Sequence, residues 1–236
     1  MSYAAFVFTV IGHAPALEAL HRALEGGRPA HAYLFAGPEG VGKESVAREF
    51  AAALNCTGPN PPCGECRACR DTLAGRHPDV EFVAPGGICD EPDHRDHADS
   101  RDLRICQVRR LERVLSLAPY AGGRRVVIID AADTLRAEAA NAFLKTLEEP
   151  PGDTVIILLV EREERLPETI ASRCQRVVFR PIDRETLQQA LLDRGAEPVL
   201  ASTIAAAAGG KLGWALQALE DGTLLDERAQ LLDAAV

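Results

Sequence analysis

Apolar and polar positions repeat along this chain in two rhythms, and the rhythms alternate. Residues 11–26 place Ala16, Leu17, Leu20 and Leu24 on one face at helical spacing. Ala32-Tyr33-Leu34-Phe35-Ala36 is a short apolar run that reads as a strand, and 46–54 returns to a helical pattern. Residues 70–76 finish a short helix, and Asp79 to Ala84 alternates as a second strand does. Residues 103–117 carry the stripe Ile105, Val108, Leu111 and Leu115, with Ser100 or Asp102 where a cap is expected. Val126-Val127-Ile128-Ile129 is β-branched, ends in Asp130, and predicts a buried parallel strand. A helix follows over 134–147, with Asp133 as its expected cap. Pro150 stops it, because proline cannot continue the backbone hydrogen bonding. A buried strand at 154–160, a short helix reaching 172–174 and a strand at 176–179 complete the series. The alternation predicts an α/β domain over 1–180, doubly wound around a parallel sheet. From Pro181 the pattern is helical only, at 184–194, 198–208, 211–220 and 224–235, and predicts a small second domain over 181–236.

Between the first strand and its helix lies Gly37-Pro38-Glu39-Gly40-Val41-Gly42-Lys43-Glu44-Ser45. Strand, glycine-rich turn and helix form the setting of a phosphate-binding loop. Gly37, Gly40 and Gly42 let backbone N–H groups approach phosphate oxygens, the helix N-terminus adds a favourable dipole, and Lys43 would neutralise charge. Asp130, at the end of a buried strand, stands where such proteins hold the metal-bound water. Two residues depart from that chemistry. Glu44 replaces the Ser or Thr whose hydroxyl holds magnesium, and Ser45, one position late, points about 100° away on a helix. Ala131 stands where a water-activating Glu often follows the aspartate. Weak nucleotide binding and none at all are equal alternatives on these residues.

Charge narrows the partners. The 236 residues carry a formal net charge of -9, which argues against gripping nucleic acid by overall charge. No apolar run of the roughly 18 residues a membrane span needs occurs. The first ten residues lack the basic flank and cleavage site of a signal peptide, so a cytoplasmic, reducing location is expected. There, clustered cysteines point to metal. Cys56, Cys63, Cys66 and Cys69 contain two overlapping C-x-x-C steps, the spacing of a closed, structural zinc site within a module at 56–69. Cys89, Cys106 and Cys174 stand alone as plain small residues. The stretch 90–102, dense in Asp and His, reads as an exposed, mobile loop.

Five stretches in one order carry a resemblance: the phosphate loop, the four cysteines, Val126 to Asp130, Asn141-Ala-Phe-Leu-Lys-Thr-Leu-Glu-Glu-Pro-Pro151, and Thr169-Ile-Ala-Ser-Arg-Cys174. Together they resemble the clamp-loader ATPases of bacterial DNA polymerase III in the AAA+ superfamily, the delta-prime subunit and its gamma/tau relative. The resemblance implies an AAA+ domain followed by a helical lid. Beyond the lid the family continues into a collar domain of a five-subunit ring, and on this resemblance the collar is expected to be absent or truncated in the 236 residues. The motor relatives need a hydroxyl at position 44, a Glu at 131 and a polar sensor near Val160-Glu161, and their lid carries a γ-phosphate-sensing Arg, where the stretch 209–214 of this chain has only Lys211 nearby. The pattern therefore resembles delta-prime, a stator that does not hydrolyse ATP. Its implied partners are gamma/tau and delta subunits, and, through the complex, the sliding clamp and primer-template DNA. In that family the Ser-Arg-Cys arginine, here Arg173, reaches the ATP of a neighbour as an arginine finger in trans. Two rival expectations are an active gamma/tau-like ATPase and a zinc-containing module that binds protein or nucleic acid.

Overall fold

The structure is a computed structural model that describes residues 8–89, 99–121 and 123–225. The acid-rich loop expected at 90–102 falls outside these residues over 90–98. The last expected helix, 224–235, falls outside from 226 onward.

Among the described residues, five strands make one parallel sheet in the order β2-β3-β4-β1-β5. They are β1 (Ala32–Ala36), β2 (Val80–Val83), β3 (Arg125–Ile129), β4 (Thr154–Val160) and β5 (Gln175–Val178). The central strands read as unbroken apolar runs because both of their faces are covered, so alternation cannot show. Ala32, Leu34 and Ala36 of β1 face one core with Ile156 and Leu158 of β4. That core is closed by α4 (Ile105–Leu115), α5 (Ala137–Glu148) and α6 (Glu168–Ala171). Tyr33 and Phe35 face the other core, closed by α1 (Ala14–Glu25) and α2 (Lys43–Leu54). Phe50 of α2 is fully buried there, its ring edge-on to Tyr33 at 5.1 Å between centroids. Burying such a ring contributes about 1.5–3 kcal/mol. The edge strands β2 and β5 are only partly covered.

Tertiary contacts moved several expected caps. Leu103 bridges to Leu135, which keeps the chain extended, so α4 starts at Ile105. Arg104 precedes it, and its backbone N–H donates to Oε1 of Gln107 at 3.1 Å. Asp102 is paired with Arg136 instead, and Ser100 accepts from Nε of Arg104. Asp133 does not cap α5. It sits in a one-turn helix, Ala132–Thr134, and accepts from the backbone N–H of Glu161 and Arg162 at 3.3 and 3.2 Å. The cysteine helix α3 runs over Arg67–Leu73, ending earlier than expected.

After β5 come α7 (Arg184–Leu192), α8 (Pro198–Ala208) and α9 (Leu212–Glu220), which share a separate apolar cluster of Leu187, Leu191, Ala201, Ile204 and Ala215. Asp183 caps α7 by accepting from the Thr186 N–H at 2.8 Å, and Glu197 caps α8. Among the described residues no helix is long and apolar enough to cross a membrane.

Candidate functional site

The loop from Gly37 to Gly42 joins the C-terminal end of β1 to the N-terminus of α2, where ligands bind in sheets of this type. Its glycines are required by the backbone. Gly40 and Gly42 have φ of 74° and 107°, a region L-residues avoid. A Cβ on Gly37 would run into the Phe179 carbonyl. Val41 is buried, and its carbonyl lies 2.8 Å from Nε2 of His13. The loop is thus held by its own chain. Even Lys43 turns inward, donating to the carbonyls of Gly37 and Pro38 at 2.7 and 2.8 Å.

In front of the loop is a cavity of about 610 Å³, lined by Gly40, Lys43, Glu44, Asp130, Lys211 and Trp214 among others. Burial pushes the Lys43 ammonium below its usual range, against the pull of Asp130, Glu161 and Asp133. Burial likewise raises Asp130, and the negative charge of Glu44 adds to the rise while Lys43 opposes it. Glu44 is turned along α2 to Arg48, with Oε1 2.7 Å from Nε, and Arg48 in turn lies over the Phe82 ring. Ser45 lines the same cavity, one residue after Glu44. Ala131 follows Asp130 in a left-handed conformation and offers no carboxylate. Asp133 is occupied with the end of β4.

Three contacts around this site escape local sequence reading. Gly213, in the first turn of α9, donates to the Gly40 carbonyl at 2.9 Å, so the helical region rests directly on the loop. A Cβ at 213 would stand 3.2 Å from that oxygen. Thr9 donates through its N–H and hydroxyl to the buried carboxylate of Glu49. His13 supports Val41 from 28 residues away. The only local hint is the glycine at the start of a helix, where it lowers helix propensity without a turn to explain it.

At the far end of α2 the four expected thiols come together. The Sγ atoms of Cys56, Cys63, Cys66 and Cys69 all lie within 4.8 Å of one another, with Cys66–Cys56 at 3.9 Å and Cys63–Cys69 at 4.0 Å. Four sulfurs about 2.3 Å from a zinc ion would stand about 3.8 Å apart, so the cluster fits a tetrahedral ion. Backbone N–H groups of Gly58, Cys63, Cys66 and Cys69 point at the sulfurs at 3.3–3.4 Å. Such bonds favour thiolate over thiol. Partial burial pushes the Cys66 thiol up, but hydrogen bonds from the Thr57 and Cys69 backbone outweigh it and bring it down to about 5. Gly64 takes φ 72° at the turn, and a Cβ on Gly58 would stand 2.8 Å from Cys63 Sγ. Cys69, buried, also contacts the Ala52 carbonyl of α2 at 3.7 Å. Cys89 and Cys106 are buried, and Cys174 is half-buried against the Ile170 carbonyl.

Arg173 lies apart from both sites, in the turn between α6 and β5. Its NH1 donates to the Thr169 carbonyl at 2.7 Å and its NH2 to Glu148 at 2.6 Å, with the side chain 36% exposed.

A family model described as DNA polymerase III, delta subunit, matches residues 12–183. The chain is 39% identical over 216 residues to the DNA polymerase III subunit delta' of Pseudomonas aeruginosa, covering 88% of this chain and 62% of that one. It is 33% identical over 190 residues to the subunit delta' of Bacillus subtilis, covering 80% and 54%. This chain thus spans just over half the length of these two relatives. Its fold is similar to that of a DNA polymerase III gamma subunit-related protein of Thermotoga maritima, with a TM-score of 0.57 and 22% identity over 86% of this chain and 70% of that one. The matched span runs from the start of α1 through all five strands, the phosphate loop and the four thiols, and on this match the chain belongs to the DNA polymerase III delta-subunit family, alongside the delta' subunits.

Proposed function

We infer that this chain acts as a delta'-type subunit of the DNA polymerase III clamp loader. It does not itself hydrolyse ATP, and it gives Arg173 to the ATP site of a neighbouring gamma/tau-type subunit. The observation that carries this reading is the nucleotide site. Its cradle is intact, yet the positions for metal and water chemistry hold Glu44, engaged with Arg48, and Ala131. A carboxylate near a triphosphate repels it, and without a hydroxyl the magnesium loses a ligand. Gly37, Gly40, Gly42, Lys43 and Asp130 then serve at most a weakly bound nucleotide.

Arg173 carries the chemistry that remains. Its guanidinium would stabilise charge developing on the phosphoryl group of the adjacent site, a task on which about 10³–10⁵ in rate can rest. The helical region α7 to α9 would be the lid, seated on the loop through Gly213. Zinc held by Cys56, Cys63, Cys66 and Cys69 would be structural, since four sulfurs leave no open position. Assembly with gamma/tau and delta subunits would bring the chain to the sliding clamp and primer-template DNA in the cytoplasm.

The test is Mg²⁺-ATP hydrolysis by the purified chain, alone and with a gamma/tau-type partner. The lone chain is expected to be silent. Its addition should raise the partner's turnover, and Arg173→Ala should remove the gain at the site it completes, a loss of about 10³-fold or more there. Steady turnover by the lone chain, or a complex indifferent to Arg173→Ala, overturns the reading.

A further inference from the structure

Glu148 is the last residue of α5, followed by Glu149 and by Pro150-Pro151. Two acids at the end of a helix run against its dipole, whose C-terminal end favours cations. Helix stability therefore gives no reason for a carboxylate at this position. The reason lies across the turn, where Glu148 Oε1 accepts from Arg173 NH2 at 2.6 Å. On the other side the Thr169 carbonyl accepts from NH1 at 2.7 Å, and also from the Ser172 hydroxyl at 3.4 Å.

Gripping a guanidinium by both terminal nitrogens fixes the plane of its fork. A free arginine loses the freedom of a long side chain when it meets an anion. Held on two sides, Arg173 has lost that freedom before a partner arrives. The pair is still open to water, with Arg173 36% and Glu148 51% exposed. An exposed pair of this kind is weak, so a triphosphate of higher charge can take over the remaining N–H groups.

We propose that Glu148 is a positioning residue, which holds the Arg173 guanidinium oriented beside the edge strand β5 for the triphosphate of a neighbouring subunit. This rests on the reading of Arg173 as a finger in trans. It is tested in the assembled complex by ATPase kinetics of Arg173→Ala, Glu148→Ala, Glu148→Gln and the double variant Glu148→Ala/Arg173→Ala. Glu148→Ala should lower kcat about fivefold with KM for ATP little changed, because the ordering is needed in the transition state. Glu148→Gln keeps an acceptor and should recover most of the loss. In the Arg173→Ala background, Glu148→Ala should cost nothing more. Matching melting curves of the lone chains separate these effects from folding. If Arg173→Ala is damaging and Glu148→Ala is not, the tether has no role while the finger stands. An equal Glu148→Ala effect in the Arg173→Ala background also defeats the proposal. If Arg173→Ala has no effect, the finger falls and the positioning role with it.

Discussion

The two ends of α2 carry two sites that have been kept in different ways. At its N-terminus the phosphate loop has a tightly held backbone, while position 44 carries Glu and position 131 carries Ala. At its C-terminus the cysteine cluster, the knuckle, brings all four thiols together. The difference follows from what holds each one. The loop is held by its own chain: Lys43 on the Gly37 and Pro38 carbonyls, Gly213 on Gly40, Gly37 against Phe179. Its architecture therefore does not depend on the side chains at positions 44 and 131. The knuckle is held by backbone N–H groups aimed at sulfur and by sulfurs grouped around a common centre. Its shape and its set of thiols are the same thing, so it cannot lose one and keep the other.

The strongest way to break this contrast is Cys69→Ala. Removing one thiol of four should abolish tight zinc binding and destabilise the chain by on the order of 4 kcal/mol. Metal analysis and urea unfolding check it, and one zinc per variant chain at unchanged stability would refute it. Next in size is a pair of changes in the loop. Gly37→Ala should cost about 2–3 kcal/mol, because the Phe179 backbone must move to admit the methyl group. Lys43→Met should change stability by no more than about 1 kcal/mol, since two lost hydrogen bonds are offset by removing a half-buried charge. A Lys43→Met variant less stable than Gly37→Ala would mean that the lysine, and not the glycine packing, maintains the cradle. Smaller than the Gly37→Ala effect, and on binding rather than stability, is that of Glu44→Thr, which supplies a hydroxyl and removes one negative charge. Calorimetry should show Mg²⁺-nucleotide affinity rising about tenfold, or about 1.4 kcal/mol. No change would mean that α9, seated on Gly40, closes the site.

Much of this was legible one residue at a time. The central strands declared themselves because a parallel sheet buried on both faces needs continuous apolar runs. The cysteine spacing announced the knuckle because all four ligands lie within 14 residues, so local turns suffice to gather them. The Gly37–Lys43 pattern did the same for the loop. What was misread lies where distant segments compete for a polar group. Asp133 looks like a helix cap, but it accepts from two N–H groups just past the end of β4. Ser100 and Asp102 look like caps for α4, but the Leu103–Leu135 bridge and Arg136 draw the chain away.

The amino-acid sequence alone determined the elements, the cradle, the thiol cluster and the presence of Glu44 and Ala131 beside it, because each depends on neighbours within a few residues. Only the tertiary structure decided the strand order β2-β3-β4-β1-β5, the seating of Gly213 on Gly40, the anchoring of Thr9 by Glu49 and the grip of Glu148 on Arg173. Each of these joins residues 25 or more positions apart, and such pairs are chosen by which faces of the packed layers meet, not by any local pattern.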